Sequence, residues 1–207
     1  MEHKSAFISI VGRPNTGKST LINALVGEKV AITSHHPNTT RNAIRGILSE
    51  KDFQLIFVDT PGLHKAKTPL GTALNRVVDE TISDVDIVIQ CIPAVEKVGD
   101  GDLYIAKQLA NTSAIRRICV LTMIDMISKT ELPKQLMALS ELGKKAGFEW
   151  DEIVPLSAKT DNQVQTLIDL LVKYSPEGPA FYPVEMRSDQ ELSHAIADLI
   201  REAAIVE

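Results

Sequence analysis

The chain has no surplus of positive charge, only two cysteines and no long apolar run. Each shortage removes a class of function. Lysine and arginine number 22 against 27 aspartates and glutamates, a formal net charge of −5 at pH 7. A free-standing nucleic-acid binder needs a basic surface to neutralise phosphates. That role is therefore not expected of the chain by itself, although a local basic patch is compatible with these totals. Cys91 and Cys119 both lie inside apolar runs. They are expected as buried thiols on adjacent strands in a reducing compartment, not as a disulfide, and no histidine stands at metal-ligand spacing from them. No segment approaches the roughly 20 apolar residues that a spanning helix needs. The opening MEHKSAFISIV lacks the apolar middle region of a signal peptide. A cytoplasmic location is the expectation. Internal repeats and low-complexity tracts are absent as well.

What is present is an alternation of strand-like and helix-like runs. With 207 residues, 44% of them apolar, the chain can build one full α/β domain and a short remainder. Apolar, β-branched runs at 6–11, 43–50, 53–59, 86–92 and 117–122 read as strands, with 152–155 as a weaker edge candidate. The second and third, separated by Lys51 and Asp52, read as a hairpin. Helical periodicity covers about 18–26, 70–83, 100–112, 131–146 and 163–174. The expected fold is α/β: a mostly parallel six-stranded sheet with one antiparallel edge strand and helices on both faces. Ligands of such sheets bind beyond the carboxyl ends of the strands. Residues 1–175 form the expected domain. The stretch 176–190, with SPEGPAFYP at its start, reads as a linker. Residues 191–207 then read as one amphipathic helix, striped by Leu192, Ile196, Leu199 and Ile200.

The most specific motif follows the first strand. Gly12, Arg13, Pro14, Asn15, Thr16, Gly17, Lys18 and Ser19 fit the phosphate-loop pattern GxxxxGK followed by Ser or Thr, and Thr20 continues into the helical run. Its glycines let the backbone turn so that successive N–H groups face one anion-sized hollow. The helix start adds further N–H groups and its dipole. Lys18 is placed to reach the β- and γ-phosphates and Ser19 to bind Mg²⁺.

Further candidates fall at later strand ends. Asp59 closes the hairpin; its carboxylate can accept from Mg²⁺-bound water, and the N–H of Gly62 can meet a γ-phosphate and swing when it leaves. The stretch AITSHHPNTTR reads as a mobile switch loop in which Thr39 or Thr40 can supply a metal ligand; spacing does not choose between them. Its neighbours His35 and His36 read as solvated side chains. Thr122-Met123-Ile124-Asp125 ends another strand, where Asp125 can accept two hydrogen bonds from guanine N1 and N2, a donor pair adenine lacks. Ser157, Ala158 and Lys159 follow in a loop able to contact guanine O6 and the base face. Position 63 holds Leu, which cannot orient a water, so slow intrinsic turnover is expected. Asn15 is a candidate ligand for a monovalent cation such as K⁺, or simply a side chain bonded to its own backbone.

These motifs, in this order, resemble the Era family of translation-factor-class GTPases. The matching pieces are GRPNTGKSTLINALVG, VAITSHHPNTTR, FVDTPGLH, CIP at 91–93 and SAKTDNQVQTLIDLL, spanning about residues 5–175 and continuing thinly beyond. The resemblance implies a Ras-like phosphate-loop fold, GTP hydrolysis to GDP with Mg²⁺, and a switch role in maturing the small ribosomal subunit. It also implies Thr40 as the switch ligand to the metal; Lys18, Gly62 and Asn15 remain the candidates beside the reacting phosphates read from the motifs themselves. Family members resemble one another in a C-terminal KH-type module that binds 16S ribosomal RNA, and some associate peripherally with the inner face of the membrane. Two departures stand out. Thr122-Met123-Ile124-Asp125 replaces the usual NKxD or TKxD, predicting retained guanine selectivity with weaker affinity. No GxxG loop follows residue 190, so a KH module is not expected in this chain, nor strong RNA binding by it alone. A monomer is expected. The competing readings are a related GTPase in tRNA modification or signalling, an ATP-dependent phosphate-loop enzyme, and a nucleotide-binding scaffold with decayed hydrolysis.

Overall fold

The apolar strand runs assemble into a six-stranded sheet in the order β2-β3-β1-β4-β5-β6. A computed structural model describes residues 3–31, 44–59, 85–112, 114 and 116–189. The strands are β1 (Lys4–Val11), β2 (Ile44–Ser49), β3 (Phe53–Asp59), β4 (Ile87–Pro93), β5 (Arg116–Thr122) and β6 (Glu152–Pro155). The helices among the described residues are α1 (Lys18–Val26), α2 (Asp100–Ala110), α3 (Leu132–Ala146) and α4 (Val164–Tyr174). The expected helix at 70–83 and the expected amphipathic helix at 191–207 lie outside the described residues.

β1 pairs parallel with both β3 and β4, β5 joins β4 and β6 in parallel, and only β2 runs antiparallel. Every residue of β4 is buried. This explains its continuous apolar run, since a central parallel strand is covered on both faces. On one face α1 and α4 pack Leu21, Ile22, Leu25, Val164, Leu167 and Leu171 against Ile8, Ile10, Leu55, Phe57, Ile89 and Val120. On the other, Ile105 and Leu109 of α2 lie on Val11 and Val88, while Leu139 and Leu142 of α3 lie on Ile92, Cys119 and Leu121. Each fully buried Leu, Ile or Phe in these layers contributes about 1.5–3 kcal/mol.

Cys91 and Cys119 sit on adjacent strands, both buried and neither in a disulfide. The pleat sends them to opposite faces, Cys91 toward α1 and α4 and Cys119 toward α2 and α3. Burial, reinforced by Cys91 and Asp102, pushes the Cys119 thiol well above its ordinary range.

Residues 176–189, read from composition as a linker, lie along the core. Pro176 O accepts the N–H of Ser5 at 3.1 Å, and Pro179 O accepts the Ser5 hydroxyl at 2.7 Å. The Phe181 ring meets Phe7 at a centroid distance of 5.1 Å. Gln54, fully buried in β3, accepts the N–H groups of Phe181 and Tyr182 and donates to Tyr182 O at 2.8 Å. The segment then reaches the outer side of β2, where Ile47 N–H donates to Arg187 O at 2.8 Å and Gly46 bridges Ser188.

Candidate nucleotide-binding site

The phosphate loop leaves the carboxyl end of β1 and turns directly into α1. Gly17 stands at the helix N-cap with φ 85°, in the left-handed region that favours glycine, and it brings no side-chain acceptor to the first helical turn. The first N–H groups of a helix lack intrahelical acceptors, which suits an anion at this end. Asn15 is left-handed too, at φ 64°, a conformation asparagine tolerates better than most residues. Gly12 is required by space: a Cβ there would lie 2.6 Å from Thr16 Oγ1 and 2.8 Å from Cys91 O. Lys18 is only 8% exposed, and its ammonium donates to Arg13 O at 2.8 Å and Gly12 O at 3.2 Å. Thr16 donates to the same Arg13 carbonyl at 3.0 Å. The loop's amides, lysine and glycine-lined backbone therefore fit a phosphate chain in shape and charge.

The side chain of Arg13 turns to Asp102 in the first turn of α2 and to Glu96 in the segment before it. Its Nε donates to Asp102 Oδ1 at 2.8 Å and its Nη2 to Glu96 Oε2 at 2.7 Å. Burial works against the charged guanidinium; the hydrogen bonds and charges of Asp102 and Glu96 outweigh it and raise the pKa above its ordinary value. Arg13 thus gives its guanidinium to these two carboxylates and its main-chain carbonyl to Lys18 and Thr16.

The base-side loops converge on the same end of the sheet. Thr122 closes β5, is buried, and donates from Oγ1 to Thr16 O at 2.8 Å. Met123 has φ 61°, and a Cβ built on Gly17 would lie 3.5 Å from Met123 Cε. The thioether thus reaches the phosphate loop. Asp125 lies exposed in the 3₁₀ turn Ile124–Met126. Ser157, after β6, is buried; it exchanges main-chain hydrogen bonds with Asn162 at 3.1 and 3.0 Å, closing the turn that carries Ala158 and exposed Lys159. Ile124 N–H donates to Leu156 O at 3.4 Å and ties the two base-side loops together.

Asp59 closes β3 beside Ile10 of β1, at the same sheet end as Lys18 and Ser19. The candidates His35, His36, Thr39, Thr40, Gly62 and Leu63 lie outside the described residues. Among the described residues, no group of three or more His, Cys, Asp or Glu could hold a metal. The proposed Mg²⁺ set of Ser19, Thr40 and Asp59 is mostly hydroxyl and carries a single carboxylate, which suits an ion that also takes substrate phosphates and waters. No helix among the described residues is long and apolar enough to cross a membrane.

Sequence reasoning missed two ties that shape this site, Arg13 to Asp102 and Thr122 to Thr16. They join residues far apart in sequence, and no local pattern marks either. A weak signal existed in Gln90, a lone polar residue inside an apolar strand, buried and bonded to the main chain of Asp102.

The sheet order and these loops define a phosphate-loop, Ras-like α/β fold. A family model described as 50S ribosome-binding GTPase matches residues 7–123. The GTPase Era of Streptomyces coelicolor is 51% identical over 203 residues, covering 98% of this chain and 64% of the relative. Among solved structures, Era in complex with MgGDPNP and nucleotides 1506–1542 of 16S ribosomal RNA superposes with a TM-score of 0.90 at 30% identity, covering 98% of this chain and 67% of that one. A tyrosine-to-alanine variant of Aquifex aeolicus Era bound to GDP·AlF4⁻ gives 0.87 at 30% identity, covering 97% and 67%. The chain belongs to the Era family of GTPases. It spans 64% of the length of its Streptomyces relative.

Proposed function

We propose that this chain binds GTP and GDP with Mg²⁺, hydrolyses GTP to GDP and phosphate, and forms the nucleotide-switching part of a protein that acts on 16S ribosomal RNA during small-subunit assembly. The observation that carries the reading is the bond from Thr122 to Thr16, which draws the base-side loops and the phosphate loop into one site. Lys18 holds the β- and γ-phosphates. Asp125 selects guanine, Met123 lies along the base, and Ser157, Ala158 and Lys159 close its far side. Ser19, Thr40 and Asp59 hold Mg²⁺, which when bound offsets the charge of the β- and γ-phosphate oxygens. Gly62 reports the γ-phosphate. With Leu63 in place of a water-orienting side chain, turnover is slow, and Asn15 supports it through a K⁺ ion.

Titration with GDP and ADP tests the binding role; tight GDP binding with no ADP binding is expected, and equal affinities would overturn it. Phosphate release from GTP, faster in potassium than in sodium, tests the role given to Asn15. The Era solved with 16S nucleotides supports the ribosomal role. A gel shift with the 3′ end of 16S RNA, at about 150 mM salt, is expected to show weak binding by residues 1–207 alone. We place the whole protein in the cytoplasm, with peripheral contact at the inner membrane face tested by vesicle sedimentation. Light scattering is expected to show a monomer.

A further inference from the structure

A phosphate loop has few side chains with which to hold its own shape, so what braces it from outside sets how well it is preformed. Asp102 lies in the first turn of α2 with no solvent exposure. A carboxylate so placed must be neutralised and hydrogen-bonded. One oxygen accepts the N–H of Gly99 at 2.9 Å, fixing the start of the helix, and the other accepts Arg13 Nε at 2.8 Å. Its main-chain carbonyl accepts Gln90 Nε2 of β4 at 3.0 Å. The Arg13 stem lies flat on this turn: a Cβ added to Gly101 would stand 2.7 Å from Arg13 Cδ. At the other end of the same residue, Arg13 O receives both the Lys18 ammonium and the Thr16 hydroxyl. Arg13 thus joins a fixed anchor in β4 and α2 to the carbonyl that seats the lysine.

We propose that Arg13 is a positioning residue for the phosphate loop. Its guanidinium, clamped by Asp102 and Glu96, sets the main chain that seats Lys18 and so sets the grip on the β-phosphate without touching nucleotide. This rests on the nucleotide-binding role proposed above. Removing the clamp leaves every phosphate-binding group in the chain and removes their preorganisation, which at a site of this kind costs affinity steeply.

The test is calorimetric titration of the chain with GDP and with GMP, which lacks the β-phosphate, alongside thermal melting without nucleotide. Gly101→Ala displaces the Arg13 stem while keeping both charges. Asp102→Asn removes the anchoring charge while keeping an acceptor for Gly99. Both are expected to weaken GDP about tenfold, on the scale that small displacements of a site cost, while GMP affinity changes little. Arg13→Gln is expected to show the same loss and Arg13→Lys to recover part of it, since an ammonium still neutralises Asp102. An unchanged ratio of GDP to GMP affinity in variants of a native chain that binds GDP would overturn the proposal alone. So would equal losses of both ligands with a lowered melting temperature, the mark of a purely structural residue. Failure of the native chain to bind GDP would overturn the nucleotide-binding role and the proposal together.

Discussion

At the phosphate end of the site, Lys18 is almost wholly buried, Gly12 has no room for a single added carbon, and Arg13 is tied to a buried carboxylate. At the base end, Asp125 is exposed on one 3₁₀ turn, Lys159 is exposed, and the main tie to the rest of the site is Thr122. The two ends face different physical problems. A phosphate chain is heavily hydrated, and it binds well only where donors are already aimed and water is already excluded. A purine is flat and mostly apolar, and a few aimed hydrogen bonds are enough to choose it. If the site holds nucleotide as proposed, strength and selectivity are held by separate parts, tied by the Thr122 hydrogen bond and by Met123 beside Gly17.

The largest effect that can break this comparison is Lys18→Ala. Loss of a charge-assisted contact of about 1.5–3 kcal/mol is expected to weaken GDP by roughly ten- to a hundredfold, read by calorimetry, without admitting ADP. A variant that gained ADP binding would show that the two ends are not separate. Next comes Thr122→Val, which keeps shape and deletes the donor to Thr16. An expected loss of about 1–2 kcal/mol in GDP binding, with the preference over ADP retained, would establish the threonine as a tie between the ends. Met123→Lys is expected to tighten GDP a few-fold, because an ammonium would replace the thioether beside Gly17. Equal dissociation constants for the variant and the native chain would refute this.

The smallest expected effect concerns pH. Ser128 N–H and Oγ–H both donate to Glu131 Oε2, at 3.0 and 2.7 Å, just beyond the base-side 3₁₀ turn. The backbone bond from Ser128, then its hydroxyl, holds the Glu131 carboxyl below its ordinary pKa. A depressed carboxylate stabilises the fold above its unfolded pKa and loses that contribution as pH falls through the folded value. The protection factor of the Ser128 amide, taken against the intrinsic exchange rate at each pH, is expected to fall on acidification while β4 amides keep theirs. Glu131→Gln should abolish the pH dependence.

Much of this could be read in the amino-acid order. The run KSTLINALV carries both the phosphate-loop signature and a helical period, and α1 occupies Lys18–Val26 as expected. Lys51 and Asp52 between two apolar runs placed the β2–β3 hairpin, since polar residues there break period-2 runs with a tight turn. What could not be read is tertiary. Arg13 was legible as part of the phosphate loop, but nothing in its neighbourhood shows that a buried aspartate on another element takes its guanidinium. Composition marked 176–190 as a linker, and proline and glycine content carries no information about which surface such a segment lies on. Gln54 held that information as a polar residue where the period demanded an apolar one.

The strip from Pro176 to Asp189 has a bearing on how the chain behaves when shortened. β2 is the outermost strand on its side of the sheet, and Arg187 and Ser188 occupy part of its hydrogen-bonding edge. Cut at Tyr174, the chain would present Ile47 N–H to solvent and strip the buried Gln54 side chain of its bonds to Phe181 and Tyr182. Such an uncapped strand is a template for pairing with another molecule. The shortened chain is therefore expected to self-associate edge to edge, and the strip to act as a built-in guard of solubility for the nucleotide-binding core.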